Sequence, residues 1–200
     1  MYDTVNFWVD GGIITYNPEN IGQYLQNPKD IYDRDNNTHH LEGYIGSYFV
    51  KIYDNRGISL MGSLSTYYLP SNTYTLTLST AKNAIEKLSD ELHVDIKNAK
   101  VTRVDVSTVI PTTQPPSYYY PYLGDKPYFV RLLATKDTLY YKTQKRNIIF
   151  YDKIKDAIQR GAEIPTEYLN ENLLRYEVRY MKELKRQLKT STNVTGELLT

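Results

Sequence analysis

The sequence predicts an α+β protein built on a mainly antiparallel sheet of about seven strands, with two to four helices packed against it. Three observations point there. Short apolar runs with period-two alternation recur along the chain, most of them are separated by turn-length connections, and the one long amphipathic helical pattern is not part of a repeated strand–helix–strand order. Two hundred residues, 40% apolar and 24% charged, suit a globular domain and exclude a collagen, a coiled coil or a disordered tail.

Val5, Phe7 and Val9 alternate with polar neighbours until Gly11-Gly12, which predicts a half-buried first strand. Asn17-Pro18-Glu19 then reads as a helix start, with Asn as N-cap and Pro at the first helical position, for a short helix reaching Gln26. Residues 27–43 have loop composition. Residues 47–54 and 58–66, joined by Asn55-Arg56-Gly57, predict a hairpin whose glycine supplies a positive φ. Ala81, Ala84, Ile85, Leu88 and Leu92 recur at helical spacing opposite Lys82, Glu86, Lys87 and Asp90, so residues 79–92 form the clearest helix, with Ser79-Thr80 as cap. A strand follows over 100–110. Five prolines in 111–127 then exclude a regular element there. Residues 128–135, 138–142 and 147–152 read as strands, 152–160 as a helix stopped by Gly161, 173–180 as a last strand, and 182–189 as a basic helix. The expected division is one domain over 1–190 and a polar tail over 191–200.

Composition bounds the chemistry. No run approaches the roughly 18 to 20 apolar residues that cross a bilayer, and the first ten residues carry no leader pattern, so a cytoplasmic protein is expected. With no cysteine and three histidines, catalysis is expected to use oxygen nucleophiles and carboxylates. The 21 tyrosines suit half-exposed strands and would also serve as stacking platforms for unpaired bases. The net charge of +1 conceals an asymmetry: residues 1–130 carry 10 Lys and Arg against 14 Asp and Glu, whereas 131–200 carry 14 against 9. A local basic face of that kind is enough to hold phosphates.

Residues two apart on a strand share a face, so Arg103, Asp105 and Ser107 lie together, as do Arg175, Glu177 and Arg179. Two readings follow. Arg–carboxylate pairs crossing a solvated sheet face are common and need no function. If the two strands are neighbours, however, Asp105 and Glu177 repel unless a cation lies between them, and their hard oxygens suit Mg²⁺ or Mn²⁺. Tyr151 ends a strand on the face opposite Phe150, with Lys153 two residues on. A phenol beside an ammonium is a candidate nucleophile toward phosphorus, although in so tyrosine-rich a chain such a pair also arises by chance. His39-His40-Leu41-Glu42 offers ligands in what reads as a loop, but adjacent histidines point apart. No P-loop, nucleophile elbow, zinc spacing or dinucleotide fingerprint is present.

Thr102-Arg103-Val104-Asp105-Val106-Ser107, then Tyr151-Asp152-Lys153, then Leu174-Arg175-Tyr176-Glu177-Val178-Arg179 resemble, in order and approximate spacing, the phage and plasmid replication initiators related to the filamentous-phage gene II protein. The resemblance runs from about Ser47 to Leu188. It implies a rolling-circle nickase with an HUH-like fold, acting in the bacterial host cytoplasm on an origin in single-stranded or supercoiled DNA, with a host helicase as partner. It implies Tyr151 as nucleophile and Lys153 as its helper, Asp105 and Glu177 as ligands of Mg²⁺ or Mn²⁺, and Arg103, Arg175 and Arg179 on phosphates. Tyr140 and Tyr141 are candidates for a second tyrosine. The His-hydrophobic-His metal motif of many such nucleases is not reproduced by His39-His40-Leu41, which leaves the third ligand unassigned. A non-catalytic single-strand binder stacking bases on Tyr118, Tyr119 and Tyr120, and a phage structural protein, are the competing readings.

Overall fold

The computed structural model describes residues 2–12, 18–35, 37–54, 56–70, 74, 76–135, 137–190 and 195. In chain order the elements are β1 (Tyr2–Asp10), α1 (Pro18–Gly22), β2 (Gln26–Asp33), β3 (Thr38–Ile45), β4 (Tyr48–Tyr53), β5 (Gly57–Met61), α2 (Leu64–Tyr68) and α3 (Leu78–Leu92). There follow β6 (Lys100–Thr112), β7 (Val130–Thr135), β8 (Thr138–Lys142), β9 (Arg146–Asp152), α4 (Lys153–Gln159), β10 (Asn172–Tyr180) and α5 (Leu184–Leu188). All ten strands join one sheet in the order β2-β3-β4-β5-β1-β6-β10-β9-β8-β7. Every neighbouring pair is antiparallel.

The α+β class and the antiparallel sheet agree with the sequence reading; the counts do not, with ten strands in place of about seven and five α-helices in place of two to four among the described residues. The additional pair, β2 and β3, occupies 26–45, where loop composition was expected. β2 is an edge strand whose residues are mostly exposed, so no apolar alternation marks it. In β3, His40 is buried on the polar side while Gly43 and Ile45 are buried on the other, which erases the binary pattern. The expected strand over 58–66 stops at Met61, because Ser63 caps α2 by accepting from the backbone N–H of Thr66. The expected cap of α3 moves two residues back: Thr77 and Thr80 form a reciprocal capping box. β6 continues through Pro111 to Thr112, and the proline-rich segment beyond it holds only two short 3-10 turns. α1 ends at Gly22 instead of Gln26, and the basic helix shortens to α5. The expected cap Asn17, the turn residue Asn55 and the tail, Thr195 apart, lie outside the described residues.

The sheet has one apolar and one polar face. On the apolar face Phe7, Val50, Ile52, Ile58, Leu60 and Val104 pack with Ile21, Leu64, Ala84, Ile85, Leu88 and Leu92 of α1, α2 and α3. At the other end of the same face Leu139, Tyr141, Ile148, Leu174 and Tyr120 form a second cluster. Burying these side chains contributes roughly 1.5–3 kcal/mol each. Three long strands, β1, β6 and β10, lie between the two meanders and carry the sheet's polar face across its middle.

Candidate active site on the polar face of the sheet

The ladder brings three distant stretches of chain together. In β10, Arg175 stands across from Tyr151 of β9 and Val109 of β6, Glu177 across from Ile149 and Ser107, and Arg179 across from Asn147 and Asp105. Cross-strand partners share a face. Arg103, Asp105, Tyr151, Arg175, Glu177 and Arg179 therefore project from one side of the sheet, while Leu174, Tyr176 and Val178 pack on the other. Lys153, the first residue of α4, is buried beside them. The helix starts there because the Asp152 carboxylate accepts from the N–H groups of Ile154 and Lys155 at 3.1 and 3.0 Å.

The carboxylates and guanidiniums form one network. Arg103 Nε donates to Asp105 Oδ1 at 2.8 Å, and its Nη2 also reaches this carboxylate. Arg179 bridges the two acids, donating from Nε to Asp105 Oδ2 and from Nη2 to Glu177 Oε1, each at 3.1 Å. Arg175 meets Asp3 of β1 at 2.9 Å, and Asp3 also accepts from Ser63 and Ser65. Asp3 escaped the sequence reading. Counting by twos from Val5 puts it on the apolar face, but the ladder shifts register between Tyr2 and Val5, and this bulge turns Asp3 to the polar side. Arg175 is 1% exposed, and its Nε and Nη1 have no partner; neither has the buried Ser107 Oγ.

Burial sets the proton affinities. It raises the Tyr151 phenol above its ordinary value, Arg175 opposes the rise, and Glu177 and Asp156 add to it. Glu177 is raised by burial and then by the charges of Asp105 and Asp3, against Arg179 and Arg175. Lys153, 2% exposed, is lowered to about 8 by burial and by Arg175, with Asp156 and Asp3 opposing. For Asp3, burial pulls upward, but Arg175 and the hydroxyls of Ser65 and Ser63 outweigh it and the net shift is downward.

Tyr151, Glu177, Arg179, Tyr140 and Asp156 line a cleft of about 240 Å³. Of the seven residues singled out from sequence, three therefore meet in this cleft. Arg175 and Lys153 are buried beside it, and Arg103 and Asp105 are joined to it through Arg179. Of the two further tyrosines, Tyr140 faces the cleft, whereas the Tyr141 hydroxyl donates to the carbonyls of Leu123 and Gly124 from the apolar side. The Tyr118–Tyr120 run divides: Tyr118 is 54% exposed, but Tyr120 is 2% exposed and donates to the Asp137 carbonyl.

His39 and His40 lie in β3, not a loop, and alternation sends them to opposite faces. His39 pairs with Asp30 and Asp54; His40 lies within 3.5 Å of Glu42 and 3.4 Å of Lys51. Four strands separate β3 from β10 on the sheet. Among the described residues no group of three or more His, Cys, Asp or Glu is arranged to hold a metal ion. Asp105 and Glu177 nevertheless have the chemistry for one. They are hard donors, the charge of Asp105 disfavours that of Glu177, and Mg²⁺ commonly binds through one or two carboxylates with substrate phosphate and water completing its shell.

No helix among the described residues is long and apolar enough to cross a membrane. No curated protein matches the chain. The family described as the N-terminal region of the replication-associated phage gene II protein matches residues 1–197, and the chain belongs to this family of phage replication initiators.

Proposed function

We propose that the domain is a site-specific DNA endonuclease and strand transferase of the rolling-circle type, with Tyr151 as its nucleophile. The observation that carries this reading is the meeting of Tyr151, Glu177 and Arg179 in one cleft on the polar face. The Tyr151 hydroxyl oxygen bonds to the scissile phosphorus, the bond to the 3′ oxygen breaks, and the 5′ phosphate stays on the protein as a phosphotyrosine. The phenolic proton leaves and the 3′ oxygen gains one. Attack by a free 3′ hydroxyl on the phosphotyrosine reverses these steps and rejoins the strand.

Because burial keeps the phenol protonated at neutral pH, the attack needs proton transfer in step with bond formation. Lys153, lowered to about 8, is the buried cation whose charge changes nearest the working pH, which supports its role in moving that proton. Arg179, Arg103 and the unpartnered donors of Arg175 supply positive charge for the phosphate oxygens. A Mg²⁺ or Mn²⁺ ion held by Asp105 and Glu177 would polarise the scissile phosphate. Action at an origin in single-stranded or supercoiled DNA, an HUH-like arrangement of the site, a host helicase as partner and the bacterial cytoplasm as setting belong to the same proposal.

The test is incubation with Mn²⁺ and single-stranded DNA containing the phage origin, followed by denaturing electrophoresis. A covalent adduct from the wild type and none from Tyr151→Phe is the expected result; an undiminished adduct from Tyr151→Phe rules the assignment out. A metal-independent single-strand binder is the second reading, favoured by the exposure of Tyr118 and Tyr122, and it gives salt-sensitive binding with no adduct.

A further inference from the structure

A second cleft, of about 750 Å³, opens where β6 begins and β10 ends, and its lining includes Lys100, Thr102, Lys182, Lys185 and Arg186 with a single carboxylate, Glu183. That carboxylate is taken by Lys145 and by Arg186 at 2.9 Å. Among the described residues Lys100, Lys182 and Lys185 are exposed and make no ion pair, so three cations stand uncompensated in one concavity. The excess of basic residues in the last seventy positions is partly gathered here.

Beside Lys100, one residue of this lining, stands Trp8 of the neighbouring strand. It is the cross-strand partner of Lys100 and shares its face, and its ring centroid lies 5.9 Å from that of Tyr53. α5 sends Leu184 into the apolar face while Lys100 projects from the polar one, and β10 stops pairing with β6 at Val104, so the cleft lies at that open flank of β6. From Trp8 the polar face continues through Asn6 and its partner Arg103 to Arg179 and the cleft that holds Tyr151. Nine residues of β6 separate Lys100 from the level of Tyr151, a distance of roughly 30 Å.

We infer that this basic cleft holds the sugar-phosphate backbone of the single-stranded DNA flanking the scissile bond, and that Trp8, backed by Tyr53, stacks one of its bases. A basic groove with aromatic rings beside it is the arrangement that binds unpaired strands without sequence preference, and the Trp8 and Tyr53 rings are half-buried there. The choice of DNA as ligand rests on the nicking reading; the location rests on the charge and the rings.

The test uses the full chain carrying Tyr151→Phe, which isolates binding from cleavage, and a fluorescein-labelled oligothymidylate of about 12 nucleotides, within the usual site size. Anisotropy is measured against salt concentration. Each lost phosphate contact removes about 0.7 from the slope of log K on log salt, so Lys182→Ala with Lys185→Ala should flatten it by about 1.4. The affinity near 0.1 M salt should then fall about 25-fold, since a slope change of about 1.4 acts over one decade below 1 M. Trp8 is the only tryptophan of the chain, so its own emission should be quenched saturably as the oligonucleotide binds, with no substitution needed. An unchanged slope in the lysine variant, or unchanged emission at saturation, overturns the inference. So does a duplex that binds as tightly as the single strand. Failure of the nicking reading is separable: a wild-type protein that forms no adduct while the slope and emission respond loses the nickase and keeps the DNA track, and the converse result does the opposite.

Discussion

Tyr151 stands directly across the β9–β10 ladder from Arg175, so a buried phenol and a buried guanidinium share one position on the sheet. Arg175 has one carboxylate partner, Asp3, and two unpartnered donors. Leaving buried donors unmade costs stability, and such groups call for an explanation. Here the explanation offered is a phosphate drawn to the cluster during the reaction.

Glu177→Gln should make the protein more stable and less active. Its carboxyl pKa is raised in the native state, which therefore holds the proton more tightly than the unfolded chain does. Stability from this group is full below the usual glutamate range and is lost as pH rises through the raised value, leaving a net cost at neutral pH. A gain is expected at pH 7 and none at pH 3, measured by urea unfolding. The adduct should disappear.

Lys153 gives the opposite slope at alkaline pH. Its pKa falls from 10.5 to about 8 in the native state. The unfolded chain then binds more protons over that interval, and stability rises from about pH 8 toward the ordinary lysine value. The urea midpoint of wild type minus that of Lys153→Met should climb between pH 8 and pH 10. The rate of adduct formation should show an inflection near pH 8 that Lys153→Met removes.

Asp3→Asn removes the charge that compensates buried Arg175. A cost of about 3 kcal/mol is expected, as for other broken buried pairs, together with loss of adduct. Asp3→Asn combined with Arg175→Met should recover much of the stability and none of the adduct, which separates a positioning role from simple destabilisation. Thermal melts and adduct yields of the three variants check this.

Gly57→Ala probes a position away from the chemistry. Gly57 has φ +146°, and a β-carbon there would run into the Val9 carbonyl and the Trp8 ring. A loss of at least about 1–3 kcal/mol is expected, from the strained φ together with the clash. The adduct yield of the folded fraction at saturating DNA should stay at the wild-type level, since Trp8 bears on binding and lies outside the cleft that holds Tyr151.

Local patterns in the sequence were enough to recognise α3, the β4–β5 hairpin and the face shared by Arg175, Glu177 and Arg179, because each depends on residues a few positions apart. The pairing of β10 with β6 and with β9 depends on contacts about seventy and thirty residues distant, and local patterns could offer it only as a condition. Asp3 was hidden by a bulge, since one extra residue inverts the period-two count. β2 and β3 were hidden by their polarity: an edge strand and its neighbour need little apolar surface, so their residues read as loop.

Moving β10 by a single step along its neighbours would turn Arg175, Glu177 and Arg179 into the greasy layer and expel Leu174, Tyr176 and Val178 into water. A molecule with a scrambled centre would thus also lack an interior, and would be cleared or refolded before it met DNA. The alignment that assembles the chemistry is proofread by the same side chains that hold the two layers together.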